Sequence, residues 1–145
     1  MSRTFTFSEA QTLLPVLESL LRRAQEAAGQ VAQCEAEMKA LNQRIFFSGG
    51  MRVDVTVVAR RRAVHEKAGQ AMKDALAEVE AIGVQVQDLE EGVLDFPFVL
   101  DGTTALLCWQ MGEDEIGHWH GVDEGFEERK VVDGRIRGSR IDRLN

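Results

Sequence analysis

The sequence predicts an α+β fold, in which a long antiparallel α-helical hairpin is followed by a small antiparallel β-meander. Two patterns carry this prediction. From Leu13 to Ile45, apolar residues recur at alternating steps of four and three, which is the spacing of an a/d seam along one face of a long helix. After Gly83, apolar and polar residues alternate, which is the period of a half-buried strand. The length of 145 residues fits one domain, residues 1–145.

The first helix is expected to begin near Phe7, because Thr6 and Glu9 have the spacing of a capping box. Pro15 should either kink this helix or restart it, with the proline in the first turn of the new helix. The seam then continues as in a coiled coil until Ser48-Gly49-Gly50, where the helix is expected to stop.

A second helix is expected from Asp54, a suitable N-cap residue, to Ile82, with Gly83 closing it. A turn between two long helices makes an antiparallel hairpin, here residues 7–82. The second helix can cover one side of the apolar seam, and a second copy of the protein could cover the other side. The sequence therefore predicts a homodimer that forms through the helical hairpin.

Residues 84–133 are predicted to form the β module, and residues 134–145 a basic tail. Apolar and polar residues alternate over 84–87, and strands are expected over 93–100, 103–109 and 116–121. Asp101-Gly102 is a strong signal for a two-residue hairpin turn between two of them. Pro97 indicates an edge, because proline cannot donate a hydrogen bond to a neighbouring strand.

The charges are strongly segregated along the chain. Residues 74–128 hold 15 Asp or Glu and no Lys or Arg, although the whole chain has a net charge of only −7. This acidic block should repel nucleic acid and anionic membranes, and pair with a cation, a basic partner or the chain's own basic segments. With no signal-peptide core and no membrane-spanning run, the protein is expected to be cytoplasmic, with Cys34 and Cys108 reduced.

The segment from Glu113 to Asp123 holds the residues best suited to bind a metal. His118 and His120 lie on one face of a predicted strand, and Glu113 and Asp123 could add carboxylates. Two imidazoles with carboxylates suit one divalent ion, such as zinc or manganese. The alternative is a purely structural cluster of histidines and carboxylates. The sequence assigns no catalytic residue, since it contains no GxSxG, phosphate-binding glycine loop or CxxC motif.

The strand register decides what surrounds the histidines. A four-residue turn would place His118 opposite Trp109 and His120 opposite Leu107, on the apolar side of the sheet. Cys108 would then lie on the other face, away from any metal that the histidines bind. A slip of one residue would reverse the faces.

Several segments resemble one family: Phe7-Ser8-Glu9-Ala10 with Leu14-Pro15, Gly92 to Pro97, Leu107-Cys108-Trp109, Gly112-Glu113, Trp119-His120 with Asp123, Gly125 and Phe126, and Arg129. The chain resembles the bacterial family known as domain of unknown function 2203 over roughly its whole length. That family has no established activity, so the resemblance implies no catalytic role. It selects His120, Asp123, Glu113 and Arg129 for testing.

A structural network is the simplest interpretation of these motif residues. His120 can share a proton with Asp123 or Glu113, and Arg129 can pair with a carboxylate. Such a network, with Trp109 and Trp119, could hold the loop 121–128 over the sheet.

The sequence thus favours a non-enzymatic cytoplasmic protein that self-associates or binds a partner protein, with no cofactor. The alternative is a protein that binds one divalent metal, or a metal-dependent enzyme, with a site around His118, His120, Asp123 and Glu113. A nucleic-acid role for the tail arginines, Arg135 to Arg140, comes third, because the acidic block opposes it.

Overall fold

The computed structural model describes residues 3–47, 49 and 54–138, and it confirms the predicted α+β fold. Its elements, in chain order, are α1 (Phe7–Phe47), α2 (Val55–Ile82), β1 (Gln85–Asp88), β2 (Val93–Leu100), β3 (Thr103–Gln110), β4 (His118–Gly121), a 3₁₀ helix (Phe126–Glu128), β5 (Lys130–Val131) and α3 (Gly134–Arg137). The five strands form one antiparallel meander, in the order β1-β2-β3-β4-β5.

The chain divides into two compact units. One unit comprises Met1–Leu21 and Leu76–Asn145, and it contains the sheet. The other comprises Arg22–Ala75, which holds the C-terminal part of α1 and the N-terminal part of α2. Among the described residues, no helix combines the length and the apolar character needed to cross a membrane.

Helix α1 begins with the predicted capping box. The backbone N–H of Glu9 donates to Thr6 Oγ1 at 3.1 Å, and the N–H of Thr6 donates to Glu9 Oε1 at 2.9 Å. These two bonds satisfy N–H groups that have no partner within the helix.

Substitution of Thr6 by alanine should lower the free energy of unfolding by about 1 kcal/mol, because the N–H of Glu9 loses its acceptor. Urea denaturation measures the change. Thr6→Ser keeps the hydroxyl and should stay close to the original protein. An equal loss in both variants would mean that the threonine methyl group, and not the cap, provides the stability.

Pro15 lies inside α1, and the helix does not restart there, so that alternative is wrong. A proline in a helix interior typically costs about 3 kcal/mol. Leu14 and Leu17, on either side of it, are buried in the core of the same unit. This packing offsets the missing hydrogen bond, since tertiary contacts supply most of the stability of a helix in a protein.

The core of this unit lies between the first turns of α1 and one face of the sheet. Its fully buried side chains include Ala10, Leu17 and Leu21 from α1 and Leu94, Phe96, Phe98, Leu107 and Trp109 from β2 and β3. The opposite face of β2 and β3 is buried around Asp95 and Cys108, whereas Val99 and Thr104 on the same face are exposed.

Pro97 lies where β2 has a neighbouring strand on one side only. The last residue of β2 that pairs with β1 is Asp95, opposite Gln85, and beyond it the N–H of Phe5 donates to the Pro97 carbonyl at 2.7 Å. In an antiparallel strand the N–H and C=O of one residue point to the same side. A backbone N–H at position 97 would therefore point away from β3, toward the side where β2 has no neighbouring strand. Proline, which has no N–H, is tolerated at such an edge, as the sequence predicts.

In the other unit, α1 and α2 pack through small side chains. Its buried apolar residues are Ala24, Ala27, Ala68 and Ala75. Farther along the seam, Cys34 and Met38 are only half-buried. The homodimer that this seam suggests stays a prediction.

The ends of the hairpin helices match the sequence signals. Asp54 Oδ1 accepts a hydrogen bond from the N–H of Thr56 at 2.9 Å, as expected of an N-cap. Gly83 follows α2 with φ of 104°, a backbone conformation that favours glycine. The first helix was expected to stop at Ser48-Gly49-Gly50. Gly49 forms a turn, whereas Ser48 and Gly50 lie outside the described residues.

Part of the expected tail is folded. Asp133 Oδ1 caps α3 by accepting from the N–H of Ile136, whose side chain is buried in the core. Arg135 pairs with Asp101 at 2.9 Å and Arg137 with Glu115 at 3.0 Å, so basic residues meet the acidic block as the charge pattern suggests. Residues 139–145, which include Arg140, lie outside the described residues.

Candidate metal centre

The pairing of β3 with β4 places the histidines on the face opposite to the expected one. Cys108 lies opposite His118, and Leu106 lies opposite His120, one residue away from the predicted register. The predicted four-residue turn is wrong, because β4 begins only at His118 and seven residues, 111–117, connect it to β3. His118 and His120 therefore share their face of the sheet with Cys108.

The connection between β3 and β4 is fixed by Glu113. The Trp109 indole N–H donates to the Glu113 carbonyl at 3.0 Å, and the backbone N–H of Gln110 donates to Glu113 Oε1 at 2.7 Å. These bonds depend on side chains, and strand periodicity gives no information about them. The register could therefore not be read from the alternation of apolar residues.

Three side chains from neighbouring strands meet on this face. Asp95 on β2 lies directly opposite Cys108 on β3, and His120 extends from β4 on the far side of β3. All three are buried, and one ligand atom from each lies within 4.8 Å of the other two. We refer to Asp95, Cys108 and His120 as the buried cluster.

Both ring nitrogens of His120 have partners. Nδ1 lies 2.8 Å from the carbonyl oxygen of Gly121, and Nε2 lies 3.1 Å from Asp95 Oδ1. A carbonyl oxygen only accepts, so Nδ1 carries a hydrogen and donates it. This arrangement fixes the tautomer and directs Nε2 toward the cluster, as outer hydrogen bonds do for histidines that bind metals.

Burial controls the ionisation of the cluster. It raises the pKa of the Asp95 carboxyl, although the charge and hydrogen bond of His120 act in the opposite direction. Burial, and then the negative charge of Asp95, raise the pKa of the Cys108 thiol from 9.0 to about 12, and Arg129 opposes this. Without a metal the thiol is protonated at neutral pH, so Cys108 is poorly suited to act as a nucleophile.

The second carboxylate oxygen of Asp95 is the next feature of the cluster. Asp95 Oδ2 is buried and has no hydrogen-bond partner among the residues that the structure describes. Buried carboxylate oxygens are nearly always satisfied, so this one needs an explanation.

A second network borders the cluster and involves Arg129 and Glu113. Arg129 Nη1 contacts both carboxylate oxygens of Glu113, at 3.3 and 3.2 Å, and its guanidinium lies 4.1 Å from the centre of the Phe126 ring. His118 Nδ1 is 3.7 Å from Glu113 Oε2. The predicted pairing of Arg129 with a carboxylate is thus present. Trp109 belongs to this network through its bond to Glu113.

The turn after β4 is held by a residue that the sequence analysis did not select. Glu124 Oε1 accepts from the N–H of Gly121 at 2.7 Å and contacts Lys130, and these contacts lower the pKa of Glu124. Lys130 also lies over the Trp119 ring, with Nζ 4.6 Å from its centre. Asp123, which was a metal candidate, is exposed.

The four metal candidates from the sequence therefore separate. His120 joins the buried cluster, Glu113 and His118 lie in the network around Arg129, and Asp123 is exposed at the surface. Sequence reasoning missed Asp95 as a possible ligand, and it set Cys108 aside because of the register that the structure shows to be wrong. The available signal for Asp95 was a lone carboxylate within an otherwise apolar strand.

Comparison with known proteins identifies a family model that matches most of the chain. A family model described as an uncharacterized conserved protein, DUF2203, matches residues 3–132. No curated protein and no solved structure matches the chain. The matched range contains both the buried cluster and the network around Arg129.

Proposed function

This chain belongs to the DUF2203 family of uncharacterized conserved proteins, and we propose that it binds one divalent metal ion through Asp95, Cys108 and His120. The observation that carries the proposal is the buried convergence of three ligand-type side chains, with ligand atoms within 4.8 Å of one another. A thiolate, an imidazole and a carboxylate are the usual protein ligands of zinc. Zinc is therefore the ion that this cluster favours.

The spacing of the cluster is compatible with such an ion. Zinc lies about 2.0–2.3 Å from its ligands, so the donor atoms of a tetrahedral site are about 3.3–3.8 Å apart. His120 Nε2 and Asp95 Oδ1 are 3.1 Å apart, close to this range. Asp95 Oδ2, which lacks a hydrogen-bond partner among the described residues, could become a further donor.

The charges also support a divalent cation. An Asp95 carboxylate and a Cys108 thiolate carry two negative charges, which one divalent ion neutralises. The ion would replace the thiol proton and the proton between His120 and Asp95, so binding should weaken as the pH falls. Since the ligands are buried, the site resembles a closed structural site more than an open catalytic one.

Metal titration tests this proposal. We expect the tag-free, chelator-stripped protein to bind about one zinc ion per chain, measured by elemental mass spectrometry after removal of free metal. Cobalt should give a thiolate-to-metal charge-transfer band. Asp95→Asn, Cys108→Ser and His120→Gln should each weaken binding by at least about tenfold, because each removes or neutralises one ligand.

Matched controls separate the buried cluster from the ligand set predicted from sequence. His118→Gln and Asp123→Asn remove ligand-type side chains of the same chemistry outside the cluster, so both variants should still bind the ion. Loss of binding in these two variants would favour the set predicted from sequence. A wild-type protein that binds no zinc, manganese or cobalt would contradict the proposal, and the Asp95–His120 pair would then be structural.

A further inference from the structure

The connection between α1 and α2 is flanked by exposed apolar side chains. Phe46 and Phe47, the last residues of α1, are 79 % and 82 % exposed, and Val55, the first residue of α2, is 78 % exposed. The two phenyl rings pack edge to face, with centroids 5.5 Å apart. Isolated exposed apolar residues are common, but a cluster of large ones indicates an interaction surface.

These three side chains lie at the same end of the helical hairpin. Only seven residues, 48–54, separate the two helices, so the end of α1 and the start of α2 cannot be far apart. Glu35 and His65, at similar distances before and after the connection, are 3.9 Å apart, as the antiparallel arrangement requires. Phe46, Phe47 and Val55 are thus available to one common partner.

The same end is strongly basic. The described residues 39–47 and 54–67 contain six Lys or Arg and two Asp or Glu, a net charge of +4 within a chain whose total is −7. Arg60, Arg61 and Arg62 follow the start of α2 by five to seven residues, about 8–10 Å along the helix. In the part of the chain that the structure describes, these three arginines form no salt bridge, whereas Arg135 and Arg137 pair with carboxylates.

We propose that residues 39–47 and 54–67, the basic hairpin end, bind the surface of a lipid bilayer that contains anionic lipids. Phe46, Phe47 and Val55 would enter the boundary between headgroups and acyl chains, and Arg60 to Arg62 would contact lipid phosphates. Aromatic and aliphatic side chains next to basic ones are typical of protein segments that lie in this interface. This is contact with the membrane surface, and it requires no spanning helix.

The charge pattern favours a bilayer over other occupants of this surface. Two copies that met through the same basic ends would repel each other. Single-stranded nucleic acid would use the phenyl rings for stacking, but it would leave Val55 without an apolar partner. The acidic block, residues 74–128, and the net charge of −7 both oppose binding of the whole protein to an anionic membrane. The attraction must therefore come from the basic hairpin end itself.

Vesicle sedimentation of the full chain tests the proposal. We expect binding to mixed phosphatidylcholine and phosphatidylserine vesicles, little binding to phosphatidylcholine alone, and weaker binding at high salt. Phe46→Ser with Phe47→Ser should weaken binding by at least about tenfold. Val99→Ser with Val122→Ser removes two exposed apolar side chains elsewhere and should leave binding unchanged.

The arginines provide a second, independent variant. Replacing Arg60, Arg61 and Arg62 with glutamine should weaken binding about a hundredfold, at about fivefold for each charge lost near the surface. Replacing Arg135 and Arg137 with glutamine is the matched control and should have little effect. Circular dichroism should show the same helix content in all variants, because these side chains are exposed or half-exposed.

Four results would overturn the proposal. The first is the absence of sedimentation with anionic vesicles. The second is equal weakening by the control substitutions, which would assign the binding to another surface. The third is tighter binding to a thymidine oligonucleotide than to vesicles, and the fourth is a dimer that the Phe46 and Phe47 substitutions dissociate. Light scattering of the same samples measures the fourth.

Discussion

Replacing His120 with alanine should lower the free energy of unfolding of the metal-free protein by about 3–5 kcal/mol, because it leaves a buried carboxyl without the partner to which it is paired. Asp95 and His120 are both buried, with Nε2 and Oδ1 3.1 Å apart. Without the imidazole, the buried carboxyl must bind a proton or remain as an unpaired buried charge. Urea denaturation in the presence of a chelator measures the loss.

The size of this effect should depend on pH. Burial already raises the pKa of Asp95 above 3.8, and His120 is the largest influence that lowers it. Without His120 the folded protein holds the Asp95 proton at pH values where the unfolded chain has lost it. The stability of the variant should therefore fall as the pH rises above about 4, and the difference from the original protein should widen toward neutral pH.

A double variant distinguishes the buried charge from the lost packing. Asp95→Asn combined with His120→Ala removes the ionisable carboxyl, and it should recover most of the stability that His120→Ala loses at neutral pH. An equal loss in the single and double variants, independent of pH, would show that the imidazole stabilises the sheet by filling space.

Signals from neighbouring residues could be read directly from the sequence. The capping box of Thr6 and Glu9, the N-cap at Asp54 and the turn at Asp101-Gly102 depend on residues close together in the chain, and all three are present. The pairing of β2 with β3 followed from the length of that turn alone. These local rules were enough to predict the helical hairpin and the meander.

The candidate site depended on one longer connection, and this is why the sequence placed it only in part. Residues 111–117 are held by Trp109 and Glu113 side chains, so their length does not determine the pairing of β4. One residue of register moved His120 from the apolar face to the face of Asp95 and Cys108. Among the candidates predicted from sequence, His120 alone entered the buried cluster.

The metal-free protein should become less stable between pH 9 and pH 12, because the Cys108 thiol has a pKa of about 12 in the folded chain, compared with an ordinary value of 9.0. A raised pKa means that the folded chain keeps the thiol proton at pH values at which the unfolded chain has released it. Stability should therefore fall as the pH rises, by about 1.4 kcal/mol for each pH unit in this range.

Cysteine variants and zinc identify the thiol as the source of this alkaline loss. Cys108→Ala should remove the slope relative to the original protein, whereas Cys34→Ala, at the other free cysteine, should keep it. A thiolate bound to zinc has no proton to lose, so a protein that binds zinc through Cys108 should lose this slope in the zinc-loaded state. A slope that persists in Cys108→Ala would assign the alkaline loss to other groups. A slope that persists after zinc has been loaded would place the ion away from the thiol.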